Sequence, residues 1–199
     1  MIRFDFAISD MEECQTGKLP ENAVKIETPQ TMEETMKESS PIAVVLCFFL
    51  GISMFAKTFI NKTMVISPAY IFVGVVIGFI LLIVHELLHA VVYPAEAVVT
   101  VGRLKGKISF VALASYPLKR SRFILMSLLP FILGVIPLVI FLISPAGYKA
   151  LNGLMFGMAC MGMISPFPDV YNVVTVLRKS EKNDKIMFYK DDMYKIGIK

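Results

Sequence analysis

A chain of 199 residues that is 56% hydrophobic and only 18% charged, with a mean hydropathy of +0.67, lies outside the range of ordinary soluble domains. Its net charge of +4 comes from basic residues that flank apolar runs and are mixed with acids, which argues against a nucleic-acid partner. Three cysteines, Cys14, Cys47 and Cys160, are odd in number and widely spaced, so no disulfide framework is expected and all three read as reduced.

In chain order, residues 1–40 hold nine acidic and four basic side chains and no apolar core like that of a signal peptide, and they read as a polar cytosolic tail. Within it, Thr31-Met32-Glu33-Glu34 offers a capping box for one short helix before Ser39-Ser40-Pro41. Four apolar runs follow, at residues 42–60, 65–93, 123–143 and 148–177. Each reaches or approaches the roughly 20 residues that a helix needs to span the hydrocarbon core. Between the second and third runs, "AVVTVGRLKGKISFVALASYP" alternates β-branched with small or polar residues around Gly102 and Gly106. That pattern predicts a hairpin with strands near residues 97–101 and 107–113. Pro130 and Pro137 fall inside the third run as tolerated kinks. In the fourth, Ser165-Pro166-Phe167-Pro168-Asp169 places two prolines before a carboxylate and must break the helix.

These features predict a membrane all-α protein of about four transmembrane helices, with a β-hairpin-like cytosolic loop between the second and third. Its parts would be a polar tail at 1–40, a transmembrane domain at 41–177 and a cytosolic tail at 178–199. Seventeen of the twenty basic residues lie in the two tails and the central loop, while Lys57, Lys62 and Lys149 occupy the other connections. The positive-inside rule then places both termini in the cytoplasm of a cell whose membrane the chain crosses several times.

The second apolar run contains Ile83-Val84-His85-Glu86-Leu87-Leu88-His89-Ala90, and His85 and His89 are the only histidines in the chain. Four residues advance a helix by just over one turn, so one face presents both imidazoles. Zinc accepts imidazole nitrogen at about 2.0–2.1 Å, and this spacing lets one ion be held by both rings. Glu86 beside it is suited to take a proton from a water acidified by the ion, the pattern His-Glu-x-x-His of zinc peptidases. Three ionisable groups within five residues of a span each cost about 2.5–3.5 kcal/mol on insertion scales, so something must offset them. The competing structural reading has the imidazoles hydrogen-bonded to neighbouring helices and Glu86 snorkelling to the interface, which leaves the spacing as coincidence.

Catalytic zinc commonly has three protein ligands and an open position. Outside the tails only Glu86, Glu96 and Asp169 remain as carboxylates, and Glu86 is needed as the base. Asp169 and His85 each lie nine residues before a cytosolic boundary, at Arg178 and Pro94, which puts both on the order of 10 Å below the surface. Asp169 is thus the expected third ligand, with Glu96, close in sequence but past Pro94, as its competitor.

With "HELLH" in one span, a hairpin-like loop after it and "SPFPDVYN" in a later span, the sequence resembles the site-2 protease group of intramembrane metalloproteases. More closely it resembles a bacterial family of unknown function described as zincin peptidases. The resemblance extends over residues 66–177 and implies a zinc peptidase fold with His85, His89 and Asp169 as ligands and Glu86 as base. It also implies that a substrate segment adds as an extended strand beside the loop hairpin. Site-2 proteases usually carry glycine directly after the aspartate, where this chain has Val170. Asn172, three residues past Asp169, is placed to hydrogen-bond a ligand or a developing oxyanion.

The function expected is that of a zinc-dependent intramembrane or membrane-interface endopeptidase, acting on a membrane protein or peptide within the lipid bilayer. The alternative is a non-catalytic membrane regulator that keeps the metal for folding or partner binding, and Glu86 speaks against it. An iron-dependent lipid-modifying enzyme would require more than two histidines.

Overall fold

The computed structural model describes residues 1–9, 14–15, 17–29, 31–105, 110–190 and 192–197. Among them, four helical segments are long and apolar enough to cross a membrane: Glu33–Asn61, Pro68–Val92, Arg120–Ile143 and Lys149–Lys179. The chain divides into two compact units. One comprises Met1–Glu38, Glu86–Leu129 and Asp169–Lys199, and the other Ser39–His85 and Pro130–Pro168.

The first unit corrects the all-α expectation, because it is built on two sheets. Strand β1 (Ile2–Ile8) runs parallel to β3 (Val99–Leu104), and β3 is antiparallel to β4 (Phe110–Leu113), giving the order β1-β3-β4. The central hairpin is therefore present, with Val101 opposite Ala112, while residues 107–109 of its expected second strand lie outside the described residues. The second sheet has the order β2-β7-β6-β5, all antiparallel, from β2 (Ala23–Ile26), β5 (Leu118–Lys119), β6 (Lys185–Tyr189) and β7 (Asp192–Ile196). The regions expected as a polar N-terminal tail and a C-terminal tail thus both supply strands. In β1, Ile2, Phe4, Phe6 and Ile8 alternate with Arg3, Asp5 and Ala7. That period of two satisfies a strand, and the partner strand lies 97 residues away, as Ile2 faces Val99. Gly102 permits the approach, since a Cβ there would lie 1.6 Å from the Asp5 carbonyl oxygen.

Three helices pack on these sheets: α3 (Leu82–Val92), α4 (Arg120–Leu128) and α7 (Phe167–Lys179). Ala90 of α3 sits in a buried cluster with Val99, Val101 and Ala114. Val92, Phe123, Met126 and Val176 form a second one with Ile26, Leu118, Ile186 and Met193. Burying these apolar side chains, at about 25 cal/mol per Å², is what fixes the three helices to the sheets.

The second unit is helical. It contains most of α1 (Met32–Asn61) together with α2 (Pro68–Ile80), α5 (Ile132–Ile143) and α6 (Lys149–Ile164). Helix α1 starts as the capping pattern predicts, with Thr31 Oγ1 accepting a hydrogen bond of 3.1 Å from the Glu34 N–H. It does not stop before Pro41, which lies inside the helix and removes one backbone donor without ending it. Gly74 on α2 faces Gly157 on α6, while one turn away Gly78 packs against Met161 and Gly153 against the Ser67 carbonyl. A Cβ on Gly157 would meet the Ile71 carbonyl oxygen at 2.2 Å, so the two backbones touch where only glycine fits. Pro130 sits in a 3-10 turn, Leu129–Phe131, while Pro137 is carried inside α5. The break at Pro166 falls where the sequence demands, with α6 ending at Ile164 and α7 beginning at Phe167.

Lys57 is not a loop charge. It is 7% exposed, and its ammonium donates to the Ser144 carbonyl at 2.8 Å, to Asn152 Oδ1 at 3.0 Å and to the Phe141 carbonyl. Asn152 in turn donates 3.0 Å bonds to the carbonyls of Val65 and Pro145. The knot gathers the end of α1, the end of α5, the start of α6 and the approach to α2, and it satisfies a buried cation with oxygen acceptors and the face of the Phe141 ring, 4.6 Å away.

Candidate metal centre

Helix α3 carries His85, Glu86 and His89, and the helical turn stacks the two imidazoles as their spacing requires. Both rings are buried. His89 Nδ1 lies 2.8 Å from the Met126 carbonyl oxygen of α4. A carbonyl only accepts, so Nδ1 carries the proton, and in the neutral ring it is Nε2 that keeps its lone pair. That nitrogen is 3.6 Å from Asp169 Oδ2. Asp169 stands in the first turn of α7, just past the proline break. His85, His89 and Asp169 each offer a donor atom, and the three atoms lie within 4.8 Å of one another.

The Glu86 carboxylate, half-buried on the same helix, faces the backbone N–H of Ala112. Since Ala112 belongs to β4, the edge strand of the first sheet, the acid lies beside that strand. Asn172 is half-buried on α7, three residues after Asp169. Glu96 lies in an exposed turn after Pro94 and is not among the converging donors.

A family model described as "putative zincin peptidase" matches residues 78–184, more than half of the chain. The chain belongs to this family. No curated protein and no solved structure is matched. The match contains the whole donor set, and the geometry of this zincin-family chain fits the ion such a set would hold. Two ligands at about 2.1 Å in a tetrahedral shell stand about 3.4 Å apart, close to the observed His89–Asp169 separation of 3.6 Å. The Met126 carbonyl fixes the tautomer that a ligating imidazole needs, as outer partners of metal ligands commonly do. Two nitrogens and one carboxylate oxygen are borderline-to-hard donors suited to zinc, and they leave a fourth position open.

Several contributors carry no sequence signal. The Met126 carbonyl is one, because every residue has such a group. Arg122 Nε donates at 2.6 Å to the Val92 carbonyl, the last residue of α3, and Arg120 Nη2 donates at 2.9 Å to the Leu177 carbonyl in the last turn of α7. Read along the chain, these arginines count only as loop charges. Ser165 is the other addition: its buried hydroxyl has no partner among the described residues, and it lines a small cavity together with His85, Gly78 and Gly162.

Proposed function

We propose that the protein is a zinc-dependent endopeptidase of the site-2 protease type, cleaving membrane-associated polypeptides within or at the edge of the bilayer. His85, His89 and Asp169 would hold the ion. The single observation that carries the reading is the convergence of these three donors with His89 held in the ligating tautomer. Zinc in such a set supplies Lewis acidity, which makes a water more acidic and a carbonyl more electrophilic. Glu86 takes the proton of the attacking water and passes it to the leaving amine, as its place one residue from His85 allows. Strand β4 stands beside Glu86 and, among the described residues, pairs on one side only, so a substrate segment can add to it in extended form, with backbone hydrogen bonds holding the scissile bond near the acid. Asn172 is assigned to orienting a ligand or an oxyanion.

A bilayer setting is supported by the four apolar segments and by large side chains exposed along them, among them Phe48, Phe55, Phe59, Phe72 and Ile143. The charge pattern supports cytoplasmic termini. With Lys57 consumed by the internal knot, only Lys62 and Lys149 remain as basic residues on the opposite side. The centre would then open toward the cytoplasm, because α3 ends there at Val92.

Glu86→Gln is the test. The amide keeps the size of the side chain but cannot accept the proton, so the variant is expected to retain zinc while hydrolysis of a membrane-embedded reporter falls by at least about 10²-fold. Unchanged turnover would remove Glu86 as the base. Loss of zinc binding by the wild type's nearest alternative, a non-catalytic regulator, is not required; that reading instead predicts zinc-loaded wild type with no hydrolysis of any reporter.

A further inference from the structure

We infer that Arg120 and Arg122 are positioning residues of the metal centre, a bracket on α4 that sets the spacing of the two helices bearing the ligands; the inference rests on the zinc reading above. Helix α4 makes three hydrogen bonds to those helices. Arg122 Nε caps α3 at Val92, Arg120 Nη2 caps α7 at Leu177, and the Met126 carbonyl receives His89 Nδ1–H. Each capped carbonyl belongs to the last turn of its helix, where backbone acceptors have no helical partner and a cation meets the negative end of the helix dipole. The bracket itself is stiff. Phe123 is 1% and Met126 5% exposed, both in the cluster that includes Val92 and Val176, and the Arg120 N–H is tied to the Asp184 carbonyl at 3.0 Å.

The consequence for the ligands follows from distance along the helices. His89 lies three residues before Val92, and Asp169 eight residues before Leu177, so each cap controls the placement of a donor roughly 5 to 12 Å away. Metal donors have to be held to within about 0.5 Å of productive geometry. Arginine suits the task because its planar fork carries fixed donors that remain charged at any ordinary pH. The apolar contacts that also hold α3 and α7 to α4 are non-directional, so they fix these helix ends less sharply than the two caps do.

The test measures metal affinity by chelator competition on the purified full chain in detergent, with cobalt(II) absorption as a report on ligand geometry. In Arg120→Met/Arg122→Met, zinc is expected to bind about 10- to 100-fold more weakly and the cobalt bands to shift, the size seen when outer partners of ligands are lost. Each single Met variant should show part of the effect, so a double variant that fails to fold does not end the test. Arg122→Lys and Arg120→Lys, which can still donate to a single carbonyl, should recover much of the affinity. The exposed neighbour Lys119→Met is the control for charge alone and should bind as wild type. Wild-type affinity and spectrum in the double or single Met variants, or an equal loss in Lys119→Met, would overturn the bracket. Wild-type protein that binds no zinc would overturn both this inference and the reading beneath it, whereas zinc-loaded wild type without hydrolysis would leave the bracket standing.

Discussion

At the scale of single residues, the centre shows which chemistry is local and which is not. The spacing of His85, Glu86 and His89 is a property of one helix and is legible in eight letters of sequence. Asp169 is legible less directly, through the scarcity of carboxylates inside the apolar runs and a distance from the next boundary that matches that of His85. Its closeness to His89, 3.6 Å from nitrogen to oxygen, is a tertiary fact. The competing donor, Glu96, stands in an exposed turn where water solvates it at no cost. Asp169→Ala is therefore expected to weaken zinc binding by at least about 10-fold, while Glu96→Ala binds as wild type. Isothermal titration of the two variants checks this, and the reverse order would move the third-ligand role to Glu96. Lys57 shows the opposite failure of letters. A lysine between apolar runs reads as a loop charge, yet it is the donor that ties Ser144, Asn152 and Phe141 together, because oxygen acceptors from the end of α5 and the start of α6 converge on it.

At the scale of elements, the four apolar segments are legible because length and hydropathy alone decide them, and the break before Asp169 is legible because two prolines two residues apart remove two backbone donors from one turn. The two sheets are the larger miss. Nine acids spread over residues 1–40 suggest a solvated leader, but the alternation of Ile2, Phe4, Phe6 and Ile8 was already a strand pattern, and β6 and β7 carry similarly short strands at the other end. What no local pattern supplies is the pairing, since β1 meets β3 across about half of the chain and β2 meets β7 across most of it. Helix packing is equally hidden, because the contact of Gly74 on α2 with Gly157 on α6 is a tertiary fact. Gly157→Val pushes a branched side chain against the Ile71 carbonyl, which is backbone and cannot give way. It should destabilise the helical unit by about 3 kcal/mol or more, read as a fall in thermal midpoint with the ligands untouched. A wild-type midpoint would mean that α2 and α6 do not meet through these glycines.

At the scale of the whole molecule, seventeen of the twenty basic residues lie in the N-terminal region, the central loop and the C-terminal region. The proposed topology turns that asymmetry into a prediction. In a background lacking Cys14, Cys47 and Cys160, a cysteine at Lys105 is expected to react with a thiol reagent only after the reagent enters the cytoplasm. One at Asn61, exposed at the end of α1, is labelled from outside. Labelling of the Lys105 position from outside would invert the orientation and put the cut on the other face of the membrane.

The central claim is that His85, His89 and Asp169 form one zinc site, and the most direct measurement of it is the metal content of the purified full chain by elemental analysis. About one zinc per chain is expected in the wild type, and none above background when His85 and His89 are both replaced by alanine in protein that keeps its helical content. Wild-type protein that is folded, free of zinc and able to hydrolyse its substrate would contradict it.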